Sequence, residues 1–297
     1  MDEGAWLIEP FEEHRPRLRA VAYRMLGSVS EADDAVQDAW LRVSRADTTG
    51  VENLGGWLTT VVVRVCLNLL RSRTRRRAEP LEVQVPDPII SPESGADPEH
   101  QAILADTVGL ALMVVLETLT PAERLAFVLH DMFAVPFEEI APMIERSPAA
   151  ARQLASRARR RVQGEAPVPD PDLRRQREVV DAFFAAARHG DFDALLAVLD
   201  PDVVLRADGG RARARRTVVV RGARNVAGQA VTAGRLAPFV RPALVNGTAG
   251  AVVVAAGRVL TVMAFTVVAG KIVTIEVLQD PARLAEVDPA VLDHRGS

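Results

Sequence analysis

Two proline-rich stretches break this chain into pieces that cannot share one continuous secondary structure. Residues 78–100 hold Pro80, Pro86, Pro88, Pro92 and Pro98, no basic side chain and little apolar periodicity. They read as a linker, extended where the prolines are dense. A second break, 164–172, contains EAPVPDPD. Up to the second break apolar residues recur at helical spacing; beyond it strand-like runs dominate. The expected organisation is two all-α domains at 8–77 and 101–163, the linkers 78–100 and 164–172, and an α+β domain at 173–290.

In the first segment Ser30 followed by Asp33 fits a capping box. Behind it Ala32, Val36, Ala39, Trp40 and Val43 make one core stripe. After a Gly55-Gly56 break, Leu58, Val61, Val62, Val65 and Leu69 make another. The run Val61-Val62-Val63 suits a strand by propensity, but the longer 3.6-residue period predicts a helix. In the second segment Thr120-Pro121-Ala122-Glu123 supplies an N-cap, a first-turn proline and a capping carboxylate. A short helix from Phe137 to Ile144, then Ser147-Pro148 opening another to about Val162, outlines a helix-turn-helix. The third segment predicts helices at 173–189 and 191–199. Strands are expected at 203–206, 217–221, 240–246, 251–256, 259–268 and 271–278, with Ala269-Gly270 at a hairpin tip.

The formal net charge of −3 conceals segregation. RSRTRRR places five arginines within Arg71–Arg77, whereas residues 80–100 carry five acids and no base. On the third helix Arg64, Asn68, Arg71 and Arg75 recur at i, i+4, i+7 and i+11, opposite the apolar stripe. On the last helix of the second segment Arg152, Gln153, Ser156, Arg157 and Arg160 face outward while Ala151, Leu154, Ala158 and Val162 face inward. Guanidinium groups pair with phosphates, and Arg, Asn and Gln can read base edges, so both faces suit nucleic acid. A solvated amphipathic face is the alternative for each. The second helix is acidic outside, with Glu31, Asp34, Gln37 and Asp38, a face DNA would repel and a basic protein would attract.

Metal and disulfide chemistry find little support: Cys66 is alone, and the five histidines show no HxxxH spacing. No metal or cofactor is expected. The acidic amino terminus is no signal peptide, and the apolar stretch Gly247–Gly270 is too rich in Gly and β-branched residues for a membrane span. A cytoplasmic protein without membrane contact is expected.

At these residues a resemblance emerges. DDAVQDAWLRV and GWLTTVVVRVCLNLLRSR resemble the second conserved region of bacterial extracytoplasmic-function sigma factors. LTPAERLAFVLHDMFAVPFEEIAPMIERSPAAARQLASRARRRV resembles their fourth. The resemblance implies a promoter-specificity subunit whose partners are core RNA polymerase and promoter DNA. It implies that Asp34, Gln37 and Asp38 dock on the polymerase coiled-coil clamp, and that the loop at Ala46 to Leu54 captures a flipped minus-ten base. Arg64, Asn68, Arg71 and Arg75 would hold the opened strand, and Arg152, Gln153, Ser156, Arg157 and Arg160 the minus-thirty-five element. Arg159, Arg160 and Arg161 would lie nearer phosphates or the polymerase flap. Glu145 stands where the family usually has Gly, so that turn must avoid a positive φ or bear strain. Pro142 is expected to end its helix early.

REVVDAFFAAARHGDFDALLAVLDPDVVLRADGG resembles SnoaL-like (NTF2-like) domains, cone-shaped α+β folds, and the combination resembles a sigma-J-like subgroup. Its Leu-Pro-Glu-Pro linker motif appears as Val85-Pro86-Asp87-Pro88, with Leu81 to Gln84 where a Tyr and a Trp are usual. A DGGGK-like motif appears as Asp208-Gly209-Gly210-Arg211, and an NPDKL-like motif as Asp280-Pro281-Ala282-Arg283-Leu284. The resemblance implies that these segments regulate activity in cis. On charge alone, Arg206, Arg211, Arg213, Arg215 and Arg216 are expected to meet linker acids Glu82, Asp87, Glu93, Asp97 and Glu99. Enzymatic turnover is not expected: Asp202, Asp208, His189 and Glu276 come with no recognisable catalytic partner. The cone could still take a small apolar ligand, and the free protein is expected to be monomeric. Two rival readings are a ligand-sensing helix-turn-helix regulator and a cyclase or isomerase fused to a DNA-binding half.

Overall fold

The computed structural model describes residues 5–46, 50–76, 84–93, 109–210 and 217–292. One unit comprises residues 1–81, 101–106 and 115–165; the other comprises 82–100, 107–114 and 166–297.

The first unit begins with helices α1 (Ala5–Leu26), α2 (Val29–Val43) and α3 (Leu54–Arg76). Gly27, at φ 71°, ends α1 and puts Ser28 in extended backbone, where its side chain accepts from Glu31 N at 3.4 Å. The N-cap of α2 is therefore Ser28, not Ser30, because the left-handed glycine starts the helix sooner. Asp33, freed from capping, accepts from Arg19 Nη2 of α1 at 2.9 Å. Gly55 and Gly56 lie in the first turn of α3 rather than before it, and Asn53 Oδ1 accepts from Gly56 N at 2.9 Å. First-turn amides have no intrahelical partner, so glycines are tolerated there once a side chain caps them.

The run Val61-Val62-Val63 is helical, as its period predicts. Leu58, Val62, Val63, Val65, Cys66, Leu67 and Leu70 are buried, whereas Leu69 is 39% exposed and leaves the expected stripe. A helix wrapped on this many sides leaves only a narrow outward strip, and Leu69 falls on it. By length and hydropathy α3 could cross a membrane, but it packs as a core helix. Burial pushes the Cys66 thiol up to about 12, so it stays protonated and unreactive at neutral pH.

The same unit contains the end of α4 (Leu110–Glu117), α5 (Pro121–Phe127), α6 (Phe137–Met143) and α7 (Pro148–Glu165). Thr120 and Glu123 form the expected capping box. A π-turn, Val128–Met132, widens the chain after α5. Arg124, 2% exposed, donates to Glu117 Oε1 at 2.7 Å and to the Arg24 carbonyl at 2.8 Å, tying α5 to α4 and α1. Helix α6 ends one residue after Pro142. Glu145 in the following turn has φ 57°, so the turn takes the strained option. Glu145→Gly is expected to raise stability by about 0.5–1 kcal/mol, measured as a higher thermal midpoint.

In the second unit helices α8 (Leu173–His189), α9 (Phe192–Val198) and α10 (Ala223–Ala233) pack on one face of a seven-stranded sheet. The strands are β1 (Ile90–Ser91), β2 (Leu199–Asp208), β3 (Thr217–Arg221), β4 (Val240–Val245), β5 (Thr248–Ala255), β6 (Arg258–Val268) and β7 (Lys271–Leu278). Their order is β1-β4-β5-β6-β7-β2-β3, antiparallel except for the β2–β7 pair. This is the expected α+β cone, with Val180, Phe183, Leu195, Phe265 and Ile275 in its core. Asn246-Gly247, Ala256-Gly257 and Ala269-Gly270 all have positive φ at both positions, as two-residue hairpin turns require. The strained Ala269 turn is held by Asp170, whose carboxylate accepts from the Ala269 and Gly270 amides at 3.0 and 3.1 Å.

Two further features depart from expectation. Helix α10 was not visible in the sequence, where Gly and Ala dilute its period. The middle of the first linker is not a free spacer. Val85, Pro86, Pro88, Ile89, Ile90 and Ser91 are buried, and Ile90 and Ser91 pair with Val245 and Leu244 of β4.

Candidate functional site

Three surfaces gather the residues that the sequence singles out. On α2, Asp34 and Gln37 are exposed, and half-buried Asp38 is paired with Arg42 at 2.8 Å. Leu41, 46% exposed, completes the strip at the same helical spacing. Glu31 does not belong to it, because it pairs with Arg73 of α3. Arg73 also donates to the Leu26 carbonyl at 3.0 Å, so this member of the Arg71–Arg77 cluster holds the helices together.

On α3, Arg64, Asn68 and Arg71 are exposed along one side. The Arg75 side chain and residues 47–49 of the expected base-capturing loop lie outside the described residues.

On α7, Arg152, Gln153, Arg157 and Arg160 are exposed and Ser156 half-buried, while Ala151, Ala155 and Ala158 face the core. Leu154 and Val162, expected inside, are only half-buried; the alanines let α7 approach α5 and α6 closely. The Arg152 guanidinium lies 5.2 Å from the Phe137 ring centre, and His130 stacks on that ring at 3.8 Å. This aromatic platform restrains Arg152 before it meets any ligand. Two neighbouring arginines serve the fold: Arg159 bonds Asp131 at 2.7 Å and Arg161 the Thr118 carbonyl at 3.1 Å. Part of each guanidinium is thereby committed within the fold.

The second unit brings the linker, the DGG segment and the DPARL segment to one point. Arg283 donates to Asp87 Oδ1 at 2.6 Å, Asp208 Oδ2 at 3.1 Å and the Val85 carbonyl at 2.8 Å. Asp208, 1% exposed, also accepts from Gly210 N at 3.0 Å and Val85 N at 3.3 Å. Gly210 has φ 72°, and a Cβ there would strike the Asp280 carboxylate. Asp280 caps α11 (Pro281–Leu284) through Ala282 N at 3.0 Å, with Pro281 in the first turn and Leu284 buried. Further along, Ile89 and Asn246 exchange two hydrogen bonds, at 2.8 and 3.0 Å, and Glu93 pairs with Arg177.

Of the linker acids, the two within the described residues, Asp87 and Glu93, meet Arg283 and Arg177. Arg206 turns instead to Glu276, 2.7 Å away, and Arg211, Arg213, Arg215 and Arg216 lie outside the described residues, as do Glu82, Asp97 and Glu99. In the sequence Arg283 stands out only as a member of the DPARL motif. A lone cation two residues past a capped proline was the available signal.

Burial raises the Glu276 carboxyl to about 7 despite its Arg206 partner. Asp208 and Glu276 occupy the face of the sheet opposite the cone's core; Asp202 is exposed, and His189 bonds the Ala185 carbonyl of its own helix. The four ionisable candidates form no joint constellation. Among the described residues no group of three metal-ligating side chains occurs.

Residues 10–76 match the family model Sigma-70 region 2, and residues 109–162 match Sigma-70, region 4. The chain belongs to the extracytoplasmic-function (ECF) RNA polymerase sigma factors. It is 42% identical to the ECF RNA polymerase sigma factor SigJ of Mycobacterium tuberculosis, over 74% of this chain and 70% of that protein. It is 38% identical to the probable ECF RNA polymerase sigma factor SigI of the same species, over 91% and 92% respectively. The crystal structure of M. tuberculosis SigJ superposes with a TM-score of 0.75 at 36% identity, covering 95% of this chain and 99% of the other.

Proposed function

We propose that this sigma factor works in the bacterial cytoplasm as a monomer when free, and that its carboxy-terminal cone controls it in cis by gripping the interdomain linker. The carrying observation is the convergence of three distant segments on Arg283. A linker gripped at Val85, Asp87 and Ile89 has fewer spacings to offer the helical segments it joins, so the cone sets how freely they reach polymerase and promoter. The cone acts as a binding module and turns nothing over: Asp208 and Glu276 are committed to Arg283 and Arg206 within the fold.

In this reading Asp34, Gln37 and Asp38 dock on the core enzyme. Alanine at both Asp34 and Asp38 is expected to weaken core binding by about tenfold or more. Arg64, Asn68, Arg71 and Arg75 track the opened strand, whose splayed bases need stacking and phosphate partners. Arg152, Gln153, Ser156, Arg157 and Arg160 face the minus-thirty-five element. Arg152→Ala is expected to cost about 1–3 kcal/mol of discrimination at one base pair, measured by binding to promoter variants. A uniform loss across all sequences would assign Arg152 to phosphate instead.

Run-off transcription with core polymerase tests the cis control. The full chain carrying Arg283→Ala should change promoter output several-fold while core binding stays intact. Equal output from both proteins would refute the grip as a control.

A further inference from the structure

The sheet of the second unit ends at β3, and no described strand lies beyond it. Continuing the β2–β3 register one residue past Arg221 sets Gly222 opposite Val203, and Gly222 N donates to the Val203 carbonyl at 2.8 Å. Bonded and open pairs alternate along an antiparallel ladder, so Val218 and Val220 bond β2 while Val219 and Arg221 turn their backbone groups outward. The Arg221 carbonyl agrees with this direction, because it accepts from Asn225 Nδ2 of the next helix at 2.9 Å. Val219 thus offers an N–H and a carbonyl to the outside. Val218 and Val219, 38% and 48% exposed, flank that edge on opposite faces of the sheet. We infer that the outer edge of β3 is a strand-addition site for an extended acidic segment of a protein partner, two or three β-branched residues with carboxylates on either side.

The edge lacks the devices that normally keep such strands apart. Thr217–Arg221 holds no proline, lysine or acid, and its pairing with β2 runs without a bulge. Three consecutive valines favour extended backbone and place apolar surface where an added strand would cover it.

Charge chooses the occupant. Residues 209–241 contain eight arginines and no acid. Of these, Arg221 ends the strand and Arg224 lies in the first turn of α10; both are exposed, and neither has an acidic partner among the described residues. Residues 211–216 lie outside the described residues and count here as charge alone. A second copy is a poor occupant, since antiparallel self-pairing about Val219 brings the Arg221 end of each strand against the arginine-rich approach to the other. DNA would meet the arginines but would leave the valines wet and the Val219 amide without a strand to bond. Exposed ion pairs contribute little singly, so backbone pairing carries the affinity and the arginines select the partner.

Fluorescence anisotropy of a short dye-labelled peptide, alternating valine and threonine with two glutamates at each end, tests the site on the full chain. Saturable binding of one peptide per chain is expected. Val219→Pro removes the outward N–H and leaves the β2 ladder whole, so it should weaken binding at least tenfold with the thermal midpoint unchanged. Arg221→Glu should weaken it at least fivefold, and Arg258→Glu, at an exposed arginine on β6, should not. A peptide with lysines in place of the glutamates should bind at least tenfold more weakly. Non-saturating binding, indifference to Val219→Pro or to Arg221→Glu, an equal loss on Arg258→Glu, or equal affinity for the lysine peptide would each overturn the assignment. Displacement of the peptide by non-specific duplex DNA would assign the surface to nucleic acid and overturn it as well. If Val219→Pro destabilises the chain, methylating the peptide's backbone amides asks the same question from the other strand, and undiminished binding of the methylated peptide refutes strand addition.

Discussion

Arg283→Ala is expected to release the linker from the cone and to cost about 3–5 kcal/mol, read as a lower denaturant midpoint. The magnitude comes from what remains rather than from what is removed. Asp208 is 1% exposed and would keep its bond to Gly210 N but lose the Arg283 guanidinium and, with the linker released, its bond to Val85 N. A buried carboxylate without a counter-ion is among the most destabilising defects a fold can carry. Asp87 is less buried, so Asp87→Ala should cost less, about 1–2 kcal/mol, because Arg283 retains Asp208. Arg283→Lys should fall between, since one ammonium cannot serve two carboxylates and a carbonyl along a planar fork. Limited proteolysis should follow the same order, with cleavage within residues 84–93 appearing first in Arg283→Ala. If the alanine variant protects these residues as well as the parent chain does, Arg283 is not what holds them.

The second large effect is a dependence of stability on pH between about 4.5 and 7, abolished by Glu276→Gln. Burial raises the Glu276 carboxyl from its ordinary 4.5 to about 7 in the folded protein. Between those values the folded state holds a proton that the unfolded state has released, so unfolding becomes easier as pH rises. Stability associated with this group is complete below about 4.5 and lost as pH passes through about 7. The whole change is roughly 3 kcal/mol at most, with Arg206 at 2.7 Å limiting it. Gln keeps the shape and cannot titrate, so its profile should be flat across that window. Arg206→Met removes the compensating cation and should move the loss to higher pH. A parent profile that rises over the same window would mean that Glu276 is ionised in the fold throughout.

Local signals carried most of the fold. Thr120 and Glu123 cap a helix through four consecutive residues, Asp172 and Gly190 bracket another, and Ala269-Gly270 marks a hairpin turn. Errors arose where a distant group decided. Ser28 became the cap because Gly27 reversed the chain first, and Leu69 turned outward because its neighbours had more partners to meet. The outward faces of α2, α3 and α7 were legible because charge and apolar residues alternate at helical spacing. The grip on the linker was legible only as three unconnected motifs: Val85 and Arg283 are 198 residues apart. Nothing local distinguishes an arginine that will gather two carboxylates from one that will face water. The Arg206–Glu276 pair was hidden likewise, since it depends on β2 lying parallel to β7.

The short pairing of β1 with β4 bears on solubility. β4 would otherwise end one side of the sheet, and a bare edge strand offers its amides and carbonyls to any other chain. Part of that edge is blunted already, because Pro242 has no N–H to offer. The stretch at Leu244 and Val245 lacks this guard, and Ser91 and Ile90 lie there. A chain that lets go of its linker therefore uncovers an adhesive strip two residues long, and must cover it again, with a partner or with itself, before it meets another copy.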